Sequence, residues 1–449
     1  MAPMFDRRII EYLRDWKDKP SRKPLVVRGA RQVGKTSAIL IFGKSYFKEI
    51  VHLNLEKNEH LRWFKKALSL QDLLNILQVN WKAKLIPGET LIFIDEIQNA
   101  PNLIQLLRFF YEDRPDLHVI AAGSLLEAKI EKEGFSFPVG RVEFCYLYPL
   151  DFFEYLKAKG EDKLLTLLRG TTLTNPLPAP IHDAALKLFY EYCMVGGMPG
   201  VIKEYLENQN INKLLGLYGS LLTAYIEDVH KYASQAEAKY LGHIIETAPL
   251  FAGTTITYEK FGGSNYRSRE ISKAFSLLEK VMLLTQIRAT SSLGIPIIAK
   301  EKRPKKLIYL DVGLVNFRMN ILTAFMQMTD FDGLYQGRIA EQVVAQNILA
   351  SFTSYPAQLY YWARERQKGS AEVDFCLNHQ GKTLGLEVKA GKKGRLKSLQ
   401  VFAQQVEAPL LARCYSGELK KEKFPIDDKH QSLMSIPFYL VPRIFDLLS

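Results

Sequence analysis

Eight residues, Gly29-Ala30-Arg31-Gln32-Val33-Gly34-Lys35-Thr36, carry the spacing GxxxxGK[ST] and are followed at once by Ser37. Glycines let a backbone wrap closely, so that successive N–H groups point at phosphate oxygens. The apolar run Leu25-Val26-Val27 before the loop reads as a strand, and SAILIFG after it as a helix. Such a helix turns its positive N-terminal end toward the same anion. Lys35 would reach the β- and γ-phosphates, and the Thr36 hydroxyl would ligate Mg²⁺. The expected ligand is ATP with Mg²⁺, held by residues 29–37.

A phosphate loop needs carboxylates at the same sheet edge. Leu91-Ile92-Phe93-Ile94-Asp95-Glu96 is an apolar run that ends in two of them, as the ligand edge of an open α/β sheet requires. Asp95 would hold Mg²⁺ through water, and Glu96 would polarise the attacking water. The run His118–Gly123 ends at Ser124, whose hydroxyl can sit near the γ-phosphate.

A second constellation lies in AEVDFCLNHQGKTLGLEVKAG, residues 371–391. Two strand-like runs flank a turn at Gln380-Gly381. A symmetric hairpin about that turn sets Asp374 opposite Glu387, with Lys389 on the same face as Glu387. Facing acids repel, so a fold that keeps them there normally supplies a cation. This D…ExK pattern resembles PD-(D/E)xK nucleases. The resemblance implies Asp374 and Glu387 as metal ligands, a second Mg²⁺ or Mn²⁺, Lys389 orienting water, and Glu341 as the added acid from a preceding helix. Lys392, Lys393, Arg395 and Lys397 follow and are candidates for phosphate-backbone contact.

The elements that must position these groups are arranged in four regions. Strands separated by helices over residues 1–150 imply βαβ units and a parallel sheet. Residues 151–224 are helical, broken at TNPLPAP and GGMPG. Over 225–325, a helix in SREISKAFSLLEKVMLLTQIRAT is followed by strands at Met282–Ile287, GIPIIAK and KKLIYLDVGL, the outline of a winged helix. Arg267, Arg269 and Lys273 line its helix, and Lys300, Lys302, Arg303, Lys305 and Lys306 fill its hairpin. Residues 326–449 open with the helix Arg338–Ala350 and continue with strands. The expected fold is α/β: a P-loop sheet with a helical extension, a winged-helix-like domain and a restriction-endonuclease-like α/β domain.

Bulk properties narrow the partners. At 449 residues, with 47% hydrophobic and 24% charged residues, the chain reads as multidomain and globular. No window approaches the ~20 unbroken apolar residues of a membrane span. The four cysteines show no CxxC spacing, which argues against a disulfide framework and for a reducing cytoplasm. A net charge of +12 favours an anionic partner, of which nucleic acid is the usual one.

The order of P-loop, FIDEIQ and AAGS, then FPVGRVEFCYLYPLDFFEYL, resembles the AAA+-type ATPases of bacteria and archaea that join an ATPase domain to a C-terminal domain of unassigned function. GGMPG, Tyr225–Asp228 and Tyr309–Leu314 look like later signatures of that family. The resemblance implies an oligomerising ATPase and leaves its substrate open. It also implies that Arg141, in GRVEF, acts as a sensor or finger on a γ-phosphate; a surface salt bridge is the competing role. Two functions follow: an ATP-driven enzyme acting on nucleic acid, or an ATP-dependent switch that binds a protein partner and carries an inactive nuclease-like domain.

Overall fold

In the computed structural model, which describes residues 5–124, 126, 134, 136–322, 337–365, 370–391, 395–426 and 429–449, the first apolar runs form a parallel sheet. Its strands are β1 (Leu25–Arg28), β2 (Glu49–Asn54), β3 (Thr90–Asp95), β4 (His118–Gly123) and β5 (Glu143–Tyr146), in the order β2-β3-β4-β1-β5. The central strands are apolar at successive positions because both faces are covered. Leu25, Val27, Leu91, Phe93 and Ile120 point into one core; Val26, Ile92, Ile94, Val119 and Ala121 point into the other. The helix Lys35–Tyr46 covers the first face through Ile39 and Phe42, and the helix Pro101–Asp113 covers the second through Leu103, Leu107 and Phe110. β5 escaped the sequence reading: it has four residues and only Cys145 among them is buried, too little for a periodic signal.

Helices follow over residues 152–247, past the expected end at 224, among them Phe152–Lys159, Ala179–Val195, Pro199–Asn208, Ile211–Tyr232 and Gln235–Thr247. Capping boxes at Asp151/Glu154 and Ser234/Glu237 fix two of their starts.

Beyond them lies a mixed sheet of nine strands: β6 (Thr254–Ile256), β7 (Leu284–Thr290), β8 (Lys305–Tyr309), β9 (Tyr360–Ala363), β10 (Glu372–His379), β11 (Lys382–Val388), β12 (Leu410–Tyr415), β13 (Lys420–Ile426) and β14 (Lys429–Pro437). The order is β13-β14-β12-β11-β10-β9-β7-β8-β6. The helix Ser268–Lys280 and the antiparallel pair β7–β8 are present. They do not make a free wing, because β7 also pairs in parallel with β9 and so joins the sheet that carries the D…ExK hairpin. GIPIIAK is not a strand; only Ala299 bridges, to Thr290.

The two sheets are held together by buried polar clamps as well as by one apolar cluster that runs from Ile9 to Ile444. Asp311, fully buried, accepts from Gly197 N at 2.5 Å, Gly313 N at 2.9 Å and Gln346 Nε2 at 3.0 Å. Gly196 has φ 72°, and a Cβ there would collide with the Asp311 carboxylate. GGMPG and YLDVGL are therefore two halves of one lock. Asn347 Oδ1 accepts from Phe152 N at 2.9 Å, and Tyr146 N donates to Thr353 O at 2.8 Å.

Candidate nucleotide site and the carboxylate cluster

All pairings in the first sheet are parallel, so the C-terminal ends of β1, β3 and β4 share one edge. β4 lies between β1 and β3, which brings the phosphate loop, the Asp95-Glu96 pair and Ser124 together. Positive φ at Gln32 (64°) and Gly34 (95°) turns the loop around its centre. Lys35 is 6% exposed and donates to Gly29 O at 2.9 Å and Ala30 O at 2.8 Å. Burial lowers its pKa to about 8, against the opposing pull of Glu96 and Asp95.

Thr36 Oγ1 donates to Asp95 Oδ2 at 2.9 Å, so the two expected Mg²⁺ groups already touch. The other Asp95 oxygen is buried without a hydrogen-bond partner. A buried carboxylate oxygen left in that state fits a hard cation, and the set fits Mg²⁺. Glu96 sits at φ 54°, an uncommon backbone region that clusters at functional sites. Burial raises its pKa, with Lys35 pulling the other way. Gln98 Nε2 donates to Glu96 Oε2, and the close approach of Gln98 to Gly123 leaves no room for a Cβ there. Ser124 is buried at the same edge.

The loop is gripped from outside its own motif, which sequence reasoning missed. Arg7 Nη1 donates to Val33 O at 2.9 Å, while Arg7 Nε lies 2.9 Å from Glu154 Oε1. Arg31 is paired with the buried Asp228 and, at 3.1 Å, with Glu56, and Tyr225 OH donates to Arg31 O at 3.0 Å. Tyr225–Asp228 was visible as a signature, but not its contact with the loop. Such a contact has no local spacing to betray it.

Arg141 lies elsewhere. Glu143, two residues on, pairs with Leu25 at the start of β1, the edge opposite the phosphate loop. Its guanidinium meets Glu112 at 2.7 Å on an exposed surface. Within its own chain Arg141 is thus in a surface salt bridge, at the sheet edge away from the phosphate loop.

The hairpin β10–β11 takes the register the symmetric reading required, Phe375↔Leu386 through His379↔Lys382, with Gln380 (48°) and Gly381 (77°) both at positive φ in the turn. Val388 N donates to Asp374 Oδ2 at 2.8 Å, and Lys389 Nζ meets Glu387 Oε1 at 2.7 Å. Burial and Asp374 raise the Glu387 pKa to about 7; the same two causes raise that of Glu341 to about 8. Glu341, Asp374, Glu387 and Lys389 are therefore brought to one cluster.

One further residue changes the chemistry. Lys306, expected on an exposed basic hairpin, is 2% exposed and lies 2.6 Å from Glu341, 3.4 Å from Asp374 and 3.5 Å from Glu372. Among the described residues, no three His, Cys, Asp or Glu groups form a metal set. At Glu341 and Asp374 the cluster does not fit the divalent metal that the nuclease resemblance implies, since an ammonium already stands among their oxygens, whereas Glu387 Oε2 is buried without a hydrogen-bond partner. Three of the hairpin's other charges are also engaged: Arg303 donates to Ala363 O and Arg364 O, Lys300 pairs with Glu365, and Lys305 with Glu301. Lys392 and Lys393 lie outside the described residues. The four cysteines are free and buried, and among the described residues no helix is long and apolar enough to cross a membrane.

Residues 21–156 match the AAA domain family, and residues 186–324 and 336–439 match two domains of unknown function, DUF8612 and DUF4143. Among solved structures, a Walker-type ATPase of Pyrococcus abyssi is similar at 15% identity and TM-score 0.44, over 70% of this chain and 96% of its own. The RuvB Holliday junction branch migration motor of Thermotoga maritima is similar at 18% identity and TM-score 0.29, over 67% and 96%. The Orc1 protein of Aeropyrum pernix, solved in complex with DNA, is similar at 10% identity and TM-score 0.30, over 73% and 96%. Comparison with curated proteins gives no match. With the sheet and loop geometry, the family match makes the N-terminal region an AAA-type P-loop domain.

Proposed function

We propose that the protein binds ATP with Mg²⁺ at its N-terminal loop and hydrolyses it. The observation that carries this is the Thr36–Asp95 contact at 2.9 Å beside the buried, unpartnered Asp95 oxygen. Lys35 is placed to exchange the carbonyls of Gly29 and Ala30 for the β- and γ-phosphates. The backbone N–H groups of residues 29–37 would hold the phosphates, and Thr36 and Asp95 the metal, which neutralises charge on the phosphate oxygens when bound. Glu96, poised by burial and oriented by Gln98, would take a proton from water. Ser124 would help place that water. The role of Arg141 is confined to a neighbouring copy of the chain, because its own site is out of reach.

The net charge of +12 supports nucleic acid as the partner on which the ATPase acts. A second reading, favoured by Lys306 among the nuclease-like carboxylates, is an ATP-dependent switch that engages a protein partner. A chain of neighbours supports it: Gln346 donates to Asp311, Asp311 accepts from Gly197, and Pro199 lies beside Gly34 of the phosphate loop. The deciding experiment measures Mg²⁺-dependent ATP hydrolysis alone and with single-stranded, duplex and branched DNA and with RNA. Stimulation by nucleic acid selects the first reading; hydrolysis indifferent to every one of them selects the switch. No hydrolysis, together with no ATP binding, would refute the proposal as a whole.

A further inference from the structure

Lys306 extends from β8, where Thr255 and Ile287 flank it in register. Its ammonium enters a pocket walled by Tyr361 and Phe375, with ring centres 5.7 and 5.5 Å away. The oxygens around it come from two other elements: Glu341 Oε2 at 2.6 Å from the helix Arg338–Ser351, and from β10 Asp374 Oδ1 at 3.4 Å, Asp374 O at 3.3 Å and Glu372 Oε1 at 3.5 Å. Carboxylate and carbonyl oxygens converging on one point are what a hard divalent cation takes. Glu341 and Asp374 are largely buried while Glu372 is exposed, and buried acids left without a cation are strongly destabilising.

We propose that Lys306 is a resident counter-ion that stands where a divalent cation would otherwise bind, so that the Glu341–Asp374 cluster is closed to metal and serves to staple β8 to β10 and to the helix Arg338–Ser351. The cation comes from a different supersecondary unit than the D…ExK hairpin, so it fastens the helix–hairpin segment to the nuclease-like one. Removing the ammonium and leaving the oxygens creates a metal site. This concerns residues remote from the phosphate loop and stands whether or not the chain hydrolyses ATP.

The test uses the full chain, stripped of metal and without nucleotide, titrated with Mn²⁺ and read by the electron paramagnetic resonance of free Mn²⁺. The wild type is expected to show no site attributable to Asp374. Lys306→Ala should gain one site with a Kd on the order of 10⁻⁴ M, lost again on adding Asp374→Asn. In chelator the Tm of Lys306→Ala should fall by roughly 5–10 °C and recover with Mn²⁺. If Lys306→Ala does not fold in chelator, Lys306→Met with Glu341→Gln removes both members of the closest pair and should fold without needing metal. A wild-type Mn²⁺ site abolished by Asp374→Asn would overturn the proposal, as would a Lys306→Ala protein that neither binds Mn²⁺ nor is stabilised by it.

Discussion

Replacing Asp311 by Asn should change stability in opposite senses at low and neutral pH. Burial raises the Asp311 pKa from 3.8 to about 6, against hydrogen bonds from Gly197, Gly313 and Gln346 that pull it down. A folded-state pKa above the unfolded value means that the native state binds more proton between those two pH values. The contribution is thus fully present below about pH 4 and is lost as pH rises through 6. About two units at 1.36 kcal/mol each make roughly 3 kcal/mol. Asparagine abolishes this titration but keeps one acceptor oxygen. Its best orientation keeps that oxygen toward Gly197 N and Gln346 Nε2 and turns its amide toward Gly313 N, leaving one buried donor unpaired at about 1–3 kcal/mol. Gln346 cannot turn to help, because its Oε1 accepts from Val312 N at 2.9 Å. Asp311→Asn should therefore be destabilised by about 1–3 kcal/mol at pH 4. At pH 7 it should match or slightly exceed the wild type. Guanidinium unfolding at pH 4, 5, 6 and 7 measures both proteins. A wild-type-minus-variant difference constant within about 0.5 kcal/mol across that range would refute the argument.

Other outcomes follow from the nucleotide site. Lys35→Ala should keep the fold and lose ATP affinity, seen by calorimetry with MgATP; unchanged affinity would remove the phosphate-loop assignment. Glu96→Gln should bind ATP normally and hydrolyse it slower by a factor of roughly 10²–10⁴, and hydrolysis at the parent rate would move the base elsewhere. Asp228→Ala releases Arg31 from its strongest partner, so ATP affinity should change while Glu96-dependent chemistry persists; identical ATP binding would show that the Arg31–Asp228 pair does not restrain the loop. Because Arg141 cannot act on its own nucleotide, any catalytic role predicts specific activity that rises with protein concentration and falls in Arg141→Ala. Flat activity over a wide concentration range would leave Arg141 as a surface ion pair.

The phosphate loop, Asp95 and Glu96 were legible because their chemistry is local: each sits at the end of an apolar run long enough to identify as a buried strand. The hairpin register of β10 and β11 was legible for a similar reason, since a turn of two residues at positive φ fixes every pairing beyond it. What only the tertiary structure decided are the partners of these groups. Asp228 lies 197 residues from Arg31, and Arg7 reaches Val33 across 26; no spacing in the chain announces either contact. Lys306 shows the limit most sharply. Its neighbours Lys302, Arg303 and Lys305 made it look like one of a run of solvated hairpin charges, and the sequence held Asp374 and Glu387 facing each other in want of a cation. That the cation is a lysine from β8 follows from β7 pairing with β9, a parallel contact between distant segments that sets two sequence regions edge to edge. Local propensity and alternation fix elements and the faces they present. Which charge meets which is fixed by strand order and burial, and these depend on the whole chain.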